Sequence, residues 1–222
     1  MLSVNLHRLS IILNATKNLP TVSSQAEILS EEIRTAIEDH AIFNSSATGT
    51  VVYAYEIDGF GGINFMDDAN VPSLISLPYI GFVNVTDPVY IATRSAILSS
   101  RNPWWFHSPS ANQSGIGGPH RGLNKIWPMN WIVQLSTSTE ASERVQLLDL
   151  IKKTTAGKGL IHESFDISQA SGEGFGRLWF AWGNSLFGEV VLNMAMTEGE
   201  LGAQILFGQN AIALSIEDVM GS

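Results

Sequence analysis

Long connections rich in glycine and aromatic residues are the feature that most constrains this chain. Three of them, 53–79, 101–126 and 157–176, interrupt a series of helix-forming segments. Structureless connections of that length are uncommon in a compact domain unless they carry function. The chain is therefore expected to set its chemistry on loops held by a helical scaffold.

The scaffold is read from apolar periodicity and helix-end signals. Leu2, Leu6, Leu9 and Leu13 recur at three- and four-residue steps and predict an amphipathic helix ending near Asn18-Leu19-Pro20. Ser24-Gln25-Ala26-Glu27 has the form of a capping box, and Leu29, Ile33 and Ile37 mark one face of a second helix to about Ala41. Asp87-Pro88 supplies an N-cap and a first-turn proline for a third, which ends before Asn102-Pro103. Trp127-Pro128 opens a fourth, running to about Leu135. Thr139 caps a fifth, which breaks at Gly157, and a sixth runs from about Arg177 to Met196. Thr50-Val-Val-Tyr-Ala-Tyr-Glu-Ile has strand composition and predicts one short hairpin.

Composition excludes several partners. Twelve basic against 21 acidic side chains leave a net charge of −9, with no basic stripe to neutralise phosphates, so nucleic acid is not an expected partner. No apolar run reaches the ~18 residues that span a bilayer, so no membrane segment is expected in this chain. At 45% apolar and 15% charged it is too hydrophobic for disorder. Absence of cysteine removes disulfides, thiolate metal sites and a thiol nucleophile. Asn14, Asn44, Asn84 and Asn112 each begin an Asn-x-Ser/Thr triplet, a hint of a secretory lumen or extracellular location that short motifs alone do not decide.

The first long connection gathers Glu56, Asp58, Asp67 and Asp68 among Tyr53, Tyr55, Phe60 and Phe65. Crowded carboxylates raise one another's pKa, and aromatic faces beside acids suit sugars. Helix capping and loop bracing are the plainer roles for any one of these acids. The second connection holds Trp104, Trp105, Phe106, Gly115-Ile-Gly-Gly-Pro-His120 and Trp127, and lacks the Lys-Ser/Thr of a phosphate loop. In the third, His162-Glu163-Ser164-Phe165 lacks the second histidine of a helical zinc site, and Ser164 lacks a nucleophile elbow. Glu163 is left as the candidate proton acceptor.

Tyr55-Glu-Ile-Asp-Gly-Phe-Gly, Met66-Asp-Asp-Ala-Asn-Val-Pro-Ser-Leu, Ser100-Arg-Asn-Pro-Trp, Gly115-Ile-Gly-Gly-Pro-His, Ile126-Trp-Pro-Met, His162-Glu-Ser-Phe and Trp179-Phe-Ala-Trp-Gly-Asn-Ser-Leu-Phe occur in this order. Together they resemble glycoside hydrolase family 125. The resemblance spans residues 1–196 and leaves 197–222 as an unassigned tail. It implies an inverting, metal-independent exo-α-1,6-mannosidase that needs no cofactor and acts on an α-mannoside oligosaccharide or N-glycan-type substrate. The implied fold is all-α, a partial (α/α)6 barrel of about half the toroid. Glu163 is the implied general base. Asp67, Asp68, Asn70, His120, His162, Trp182 and Asn184 are the implied sugar-binding or loop-bracing residues. The family's general acid belongs to an Arg-Pro-Ser-Asp-Asp motif that these 222 residues do not contain. Asp67 or Asp68 could stand in for it, since one of two adjacent carboxyls can hold a proton. Six helices against the twelve of a closed toroid also predict an exposed seam. Two other readings stay open: a carbohydrate-binding remnant without catalysis, and a helical module that docks a partner.

Overall fold

The computed structural model describes residues 1–17, 19–45 and 49–207, apart from the side chains of Glu200 and Phe207. The chain divides into two compact units, 1–105 and 106–222.

The first unit opens with α1 (Leu2–Ala15) and α2 (Pro20–His40), an antiparallel pair. Their contact is made by small residues: Ser3, Val4 and Ser10 are buried on one side, Ser23, Ala26 and Ser30 on the other. Hydroxyls lock the pair, with Ser23 Oγ donating to the Ser10 carbonyl at 2.9 Å and Ser30 Oγ to that of Ser3 at 2.7 Å. The leucine stripe that sequence periodicity assigns to the packed face points elsewhere. Leu2 is 61% and Leu9 40% exposed, beside Ile12 at 59%. Small side chains let two helix backbones approach closely, and in α1 that face lies roughly a quarter turn or more from the leucines.

The expected capping box at Ser24–Glu27 is not formed. Pro20 at the first helical position starts α2 four residues earlier, behind Leu19 in the left-handed region. Pro lacks the N–H that a first turn leaves unpaired and its φ already suits a helix. Glu27 instead reaches α1, where it accepts from Ser10 Oγ and pairs with His7 Nδ1.

After α2 come β1 (Ile42–Ser45) and β2 (Thr50–Tyr53), paired antiparallel, then β3 (Glu56–Ile57) and β4 (Ile63–Asn64). The segment expected to fold as one hairpin is thus divided between two, because Ala54 and Tyr55 lie between strands that pair with different neighbours. α3 (Pro88–Ile97) follows a connection without regular structure and begins as predicted, with Asp87 accepting the Tyr90 N–H at 2.8 Å. Its inner face, including Tyr90 and Ile97, is fully buried with Val52 and Ile75.

The second unit contains β5 (Trp105–Ser108, opening at the boundary), β6 (Gln113–Ile116), β7 (Lys125–Ile126), α4 (Pro128–Thr137), α5 (Ala141–Lys153), β8 (Phe165–Asp166), α6 (Ala181–Thr197) and α7 (Gly199–Phe207). α4 is buried nearly all round, the mark of an inner helix. α5 and α6 pack on it. Thr139 does not cap α5: Glu140 occupies that position, and Ser138 Oγ bonds Glu143 in the first turn. β5 pairs with β6, and β7 with β8, so the expectation of one hairpin is corrected to four two-stranded ladders among the described residues. All are two to four residues long, too short for alternation to show in sequence. The Gly115–Gly118 run exists for close approach. A Cβ at Gly117 would fall 2.0 Å from the Lys125 carbonyl oxygen, and one at Gly115 about 3.1 Å from Ile126. α7 lies in the stretch that the sequence reading left unassigned; residues 208–222 of that tail are outside the described residues.

Candidate functional site

The candidate residues fall in both units. In the first, Asp67 is completely buried, in the connection that follows β4. Its two carboxylate oxygens accept the Leu74 and Ile75 N–H groups at 2.7 and 3.1 Å, and its own N–H donates to Asn102 Oδ1 at 3.1 Å. Burial pushes its pKa up to about 7, against which the backbone N–H bonds pull down, and Asp68 adds a small upward push. With both oxygens held by backbone inside the unit, Asp67 braces the loop. Its oxygens point to backbone in the interior of the unit, away from solvent. Asp68 is 7% exposed and accepts both the Asn70 N–H and Asn70 Nδ2 through Oδ1, at 2.8 and 2.6 Å. Tyr55 is raised too, by burial first and then by Asp68 and Asp67. Asp67, Asp68 and Asn70 thus lie together, with Asp68 and Asn70 nearer the surface, whereas Asp58 accepts the Phe60 and Gly62 N–H groups of its own turn.

A pH dependence follows from Asp67. Its folded pKa lies above its ordinary 3.8, so the native state holds a proton that the unfolded chain has released. That stabilisation is complete below about pH 4 and is lost as pH rises through about 7. Denaturant titration between those limits should show the first unit losing on the order of a few kcal/mol, at ~1.4 kcal/mol per pKa unit. Asp67→Asn should flatten the profile while lowering stability at its acid end, because the amide sets an N–H donor against that of Ile75. An unchanged slope in the variant would exclude Asp67 as its source.

A groove of about 620 Å³ also lies in the first unit, between α2 and the 72–82 segment. Ile33, Ile37, Tyr53, Tyr55, Leu74 and Phe82 line it, and it is strongly apolar. None of the candidate sugar-binding residues lines it, so the groove and the acid cluster are separate features.

In the second unit Glu163 sits in an extended segment before β8, 3% exposed. Oε2 is 3.4 Å from Arg177 Nε and 3.9 Å from Arg121 Nη1, yet it has no hydrogen-bond partner among the described residues. Burying a carboxylate is costly unless cations offset it, and two guanidiniums do so here while leaving the oxygen unengaged. Arg121 Nε also donates to Ser164 Oγ at 3.1 Å. Gly176 makes room for that arginine: a Cβ there would fall 2.1 Å from its terminal nitrogen. Sequence reasoning missed Arg121. The signal was a glycine beside an arginine, meaningful only once the fold brings 121 against 164 and 176.

The segment carrying Glu163 is clamped from α6. Asn184 Oδ1 accepts the Ile161 N–H at 3.0 Å, and its Nδ2 donates to the Ile161 and Phe180 carbonyls, both at 2.8 Å. The Asn184 amide is thus committed to backbone, and of the two roles expected for it the structure fits bracing. The Phe180 N–H donates to the Ile161 carbonyl. This pairing explains why the sixth helix begins at Ala181, four residues later than expected: 177–180 runs alongside 161–164, and Arg177 reaches Glu163 from it. His162 is wholly buried, stacked on Phe175 at 4.0 Å, with Nδ1–H donating to the Leu178 carbonyl at 2.7 Å. Its Nε2 has no partner among the described residues.

An aromatic series runs past this segment. His120 lies 6.2 Å from Trp127, Trp127 5.7 Å from Phe180, and Phe180 6.2 Å from Trp182, between ring centroids. Its ends, His120 and Trp182, are exposed, and Trp179 is 61% exposed. Solvent-facing rings beside a buried acid make a platform on which the C–H face of a sugar can stack. Among the described residues no group of three or more His, Asp or Glu side chains could hold a metal ion, and no helix is long and apolar enough to cross a membrane.

The chain is 48% identical over 195 residues to the meiotically up-regulated gene 157 protein of Schizosaccharomyces pombe, covering 87% of this chain and 37% of that protein. It is also similar to a solved metal-independent α-mannosidase from Streptococcus pneumoniae, in a non-productive complex with α-1,6-mannobiose. That match has a TM-score of 0.80 and 36% identity, over 86% of this chain and 44% of the other. The chain spans less than half the length of either relative. Residues 1–192 match the family model described as metal-independent alpha-mannosidase, and the chain therefore belongs to glycoside hydrolase family 125.

Proposed function

We propose that this chain supplies the general-base half of an inverting exo-α-1,6-mannosidase. Glu163 draws the proton from the attacking water, while the acid that protonates the glycosidic oxygen comes from the part of the fold this chain does not span. The observation that carries the reading is a buried carboxylate, flanked by two guanidiniums, with one oxygen free of hydrogen bonds and its backbone clamped by Asn184. In an inverting mechanism the base removes a proton from water as oxygen attacks C1 on the face opposite the leaving group, and the acid lies roughly 6.5 to 9.5 Å from it. Asp67 is a poor substitute acid, since the backbone holds both its oxygens. In the second unit His120 and Trp182 are left to contact mannose, with His162 and Asn184 holding the loops.

Half of an (α/α)6 toroid is the architecture this reading requires. It accounts for exposed apolar helix faces such as that of α1, and for a length under half that of the relatives. Residues 1–196 would be the C-terminal part of the catalytic domain, with 197–222 beyond it.

α-1,6-Mannobiose tests the proposal. The chain alone should release no mannose, whereas the chain joined to the remaining portion of a full-length family member should release it. The mannose should appear first as the β-anomer, visible by proton NMR. Turnover by the isolated chain would contradict the missing acid. Calorimetric binding by the joined protein without turnover would favour a carbohydrate-binding remnant, and stable association with the other portion with neither binding nor turnover would favour a docking module.

A further inference from the structure

Four Asn-x-Ser/Thr triplets occur in the chain, and the fold treats them differently. Glycan transfer to asparagine needs an accessible side-chain amide, with the hydroxyl of the third residue free to approach it. Asn14 lies in the last turn of α1, and Thr16 Oγ1 is turned back onto the Ile12 and Leu13 carbonyls at 2.9 and 3.2 Å. Asn112 is exposed, but Gln113 and Ser114 run into β6, where Gln113 is buried with its amide on the Ile167 and Gln169 carbonyls. The third residue of the Asn44 triplet lies outside the described residues.

Asn84 differs in where the hydroxyl of its triplet points, not in exposure, which Asn14, Thr16 and Asn112 share. Both Asn84 and Thr86 are exposed. Asn84 Oδ1 accepts the Thr86 N–H at 3.0 Å and the Thr86 hydroxyl at 2.9 Å, and Nδ2 carries no hydrogen bond among the described residues. The turn is anchored: the Asp87 N–H donates to the Asn84 carbonyl at 3.0 Å, and Asp87 caps α3, whose inner face is core. Two donors on one carboxamide oxygen draw electron density toward it and make the Nδ2 protons easier to remove.

We propose that Asn84 is an N-linked oligosaccharide acceptor of this chain and that the fold, by preforming its triplet, favours it over Asn14 and Asn112. The co-reactant is a polyprenyl-diphosphate-linked oligosaccharide. Nδ2 attacks its anomeric carbon, a C–N bond forms as the C–O bond to diphosphate breaks, the polyprenyl diphosphate leaves with the electron pair, and the Nδ2 proton passes to a base of the transferase. Nothing is oxidised or reduced.

The test uses the folded full chain with a purified eukaryotic oligosaccharyltransferase and its lipid-linked donor, read by peptide mass spectrometry. Transfer should occur at Asn84 and exceed that at Asn14 and Asn112. It should be lost at Asn84 in Thr86→Ala, whose circular dichroism should match the parent. Synthetic peptides carrying the Asn14 and Asn84 triplets should be accepted equally. No transfer to Asn84 on the folded chain, or transfer to Asn14 to the same extent, overturns the proposal. So does a peptide preference that already reproduces the selectivity of the folded chain, since sequence alone would then explain it.

Discussion

Glu163→Gln in the assembled mannosidase should lower kcat by roughly 10²- to 10⁴-fold, the range that a positioned general base contributes, with far less change in KM. Glutamine keeps the volume of the side chain and cannot accept water's proton. Arg121 and Arg177 would then face a neutral amide. The variant should keep its affinity for α-1,6-mannobiose by calorimetry, because the rings proposed to stack on sugar are elsewhere, at His120 and Trp182. Equal loss of binding and turnover would mean that Glu163 holds the two arginines in place and does no chemistry. Turnover within a few-fold of the parent would remove Glu163 from the mechanism altogether.

Asn184→Ala should be the most damaging single change to the second unit. It deletes an acceptor for the Ile161 N–H and donors to the Ile161 and Phe180 carbonyls. Each backbone group left unpaired costs about 1–3 kcal/mol where water cannot replace the partner. Ile161 is buried and Asn184 itself half-buried, so a total of about 2–5 kcal/mol is expected from urea titration. Asn184→Asp separates the two parts of the clamp. It keeps the acceptor for the Ile161 N–H but sets a carboxylate against two carbonyls, and should recover little of the loss. A change below about 0.5 kcal/mol, the level of an ordinary surface substitution, would show that the 161–164 segment does not depend on this side chain.

Much of the helical framework was legible in sequence because it rests on local chemistry. Asp87-Pro88 and Trp127-Pro128 start α3 and α4 where Pro at the first turn places them. What escaped was decided at long range. Ser24 and Glu27 have the spacing of a capping box, yet Glu27 has partners on α1 and Pro20 nucleates the turn earlier. Arg177 has no local signal against helix, and only the pairing of Phe180 with Ile161 keeps 177–180 extended. Of the candidate site, Glu163 was found by excluding other chemistries from its neighbours and then by resemblance, and the structure adds its counter-ions. Arg121 could not be read, since Glu163 and Ser164, its partners, lie 42 and 43 residues away. Asp67 and Asn184 stood out in the sequence, but whether each faces ligand or backbone is a property of burial, on which spacing is silent.

The serine seam between α1 and α2 carries a practical consequence for anyone handling this polypeptide. Because hydroxyl and methyl groups already satisfy the inner side of α1, its leucines stay available for a separate companion without unfolding the pair. An apolar surface could accordingly settle on that outer stripe without the α1–α2 pair first having to melt.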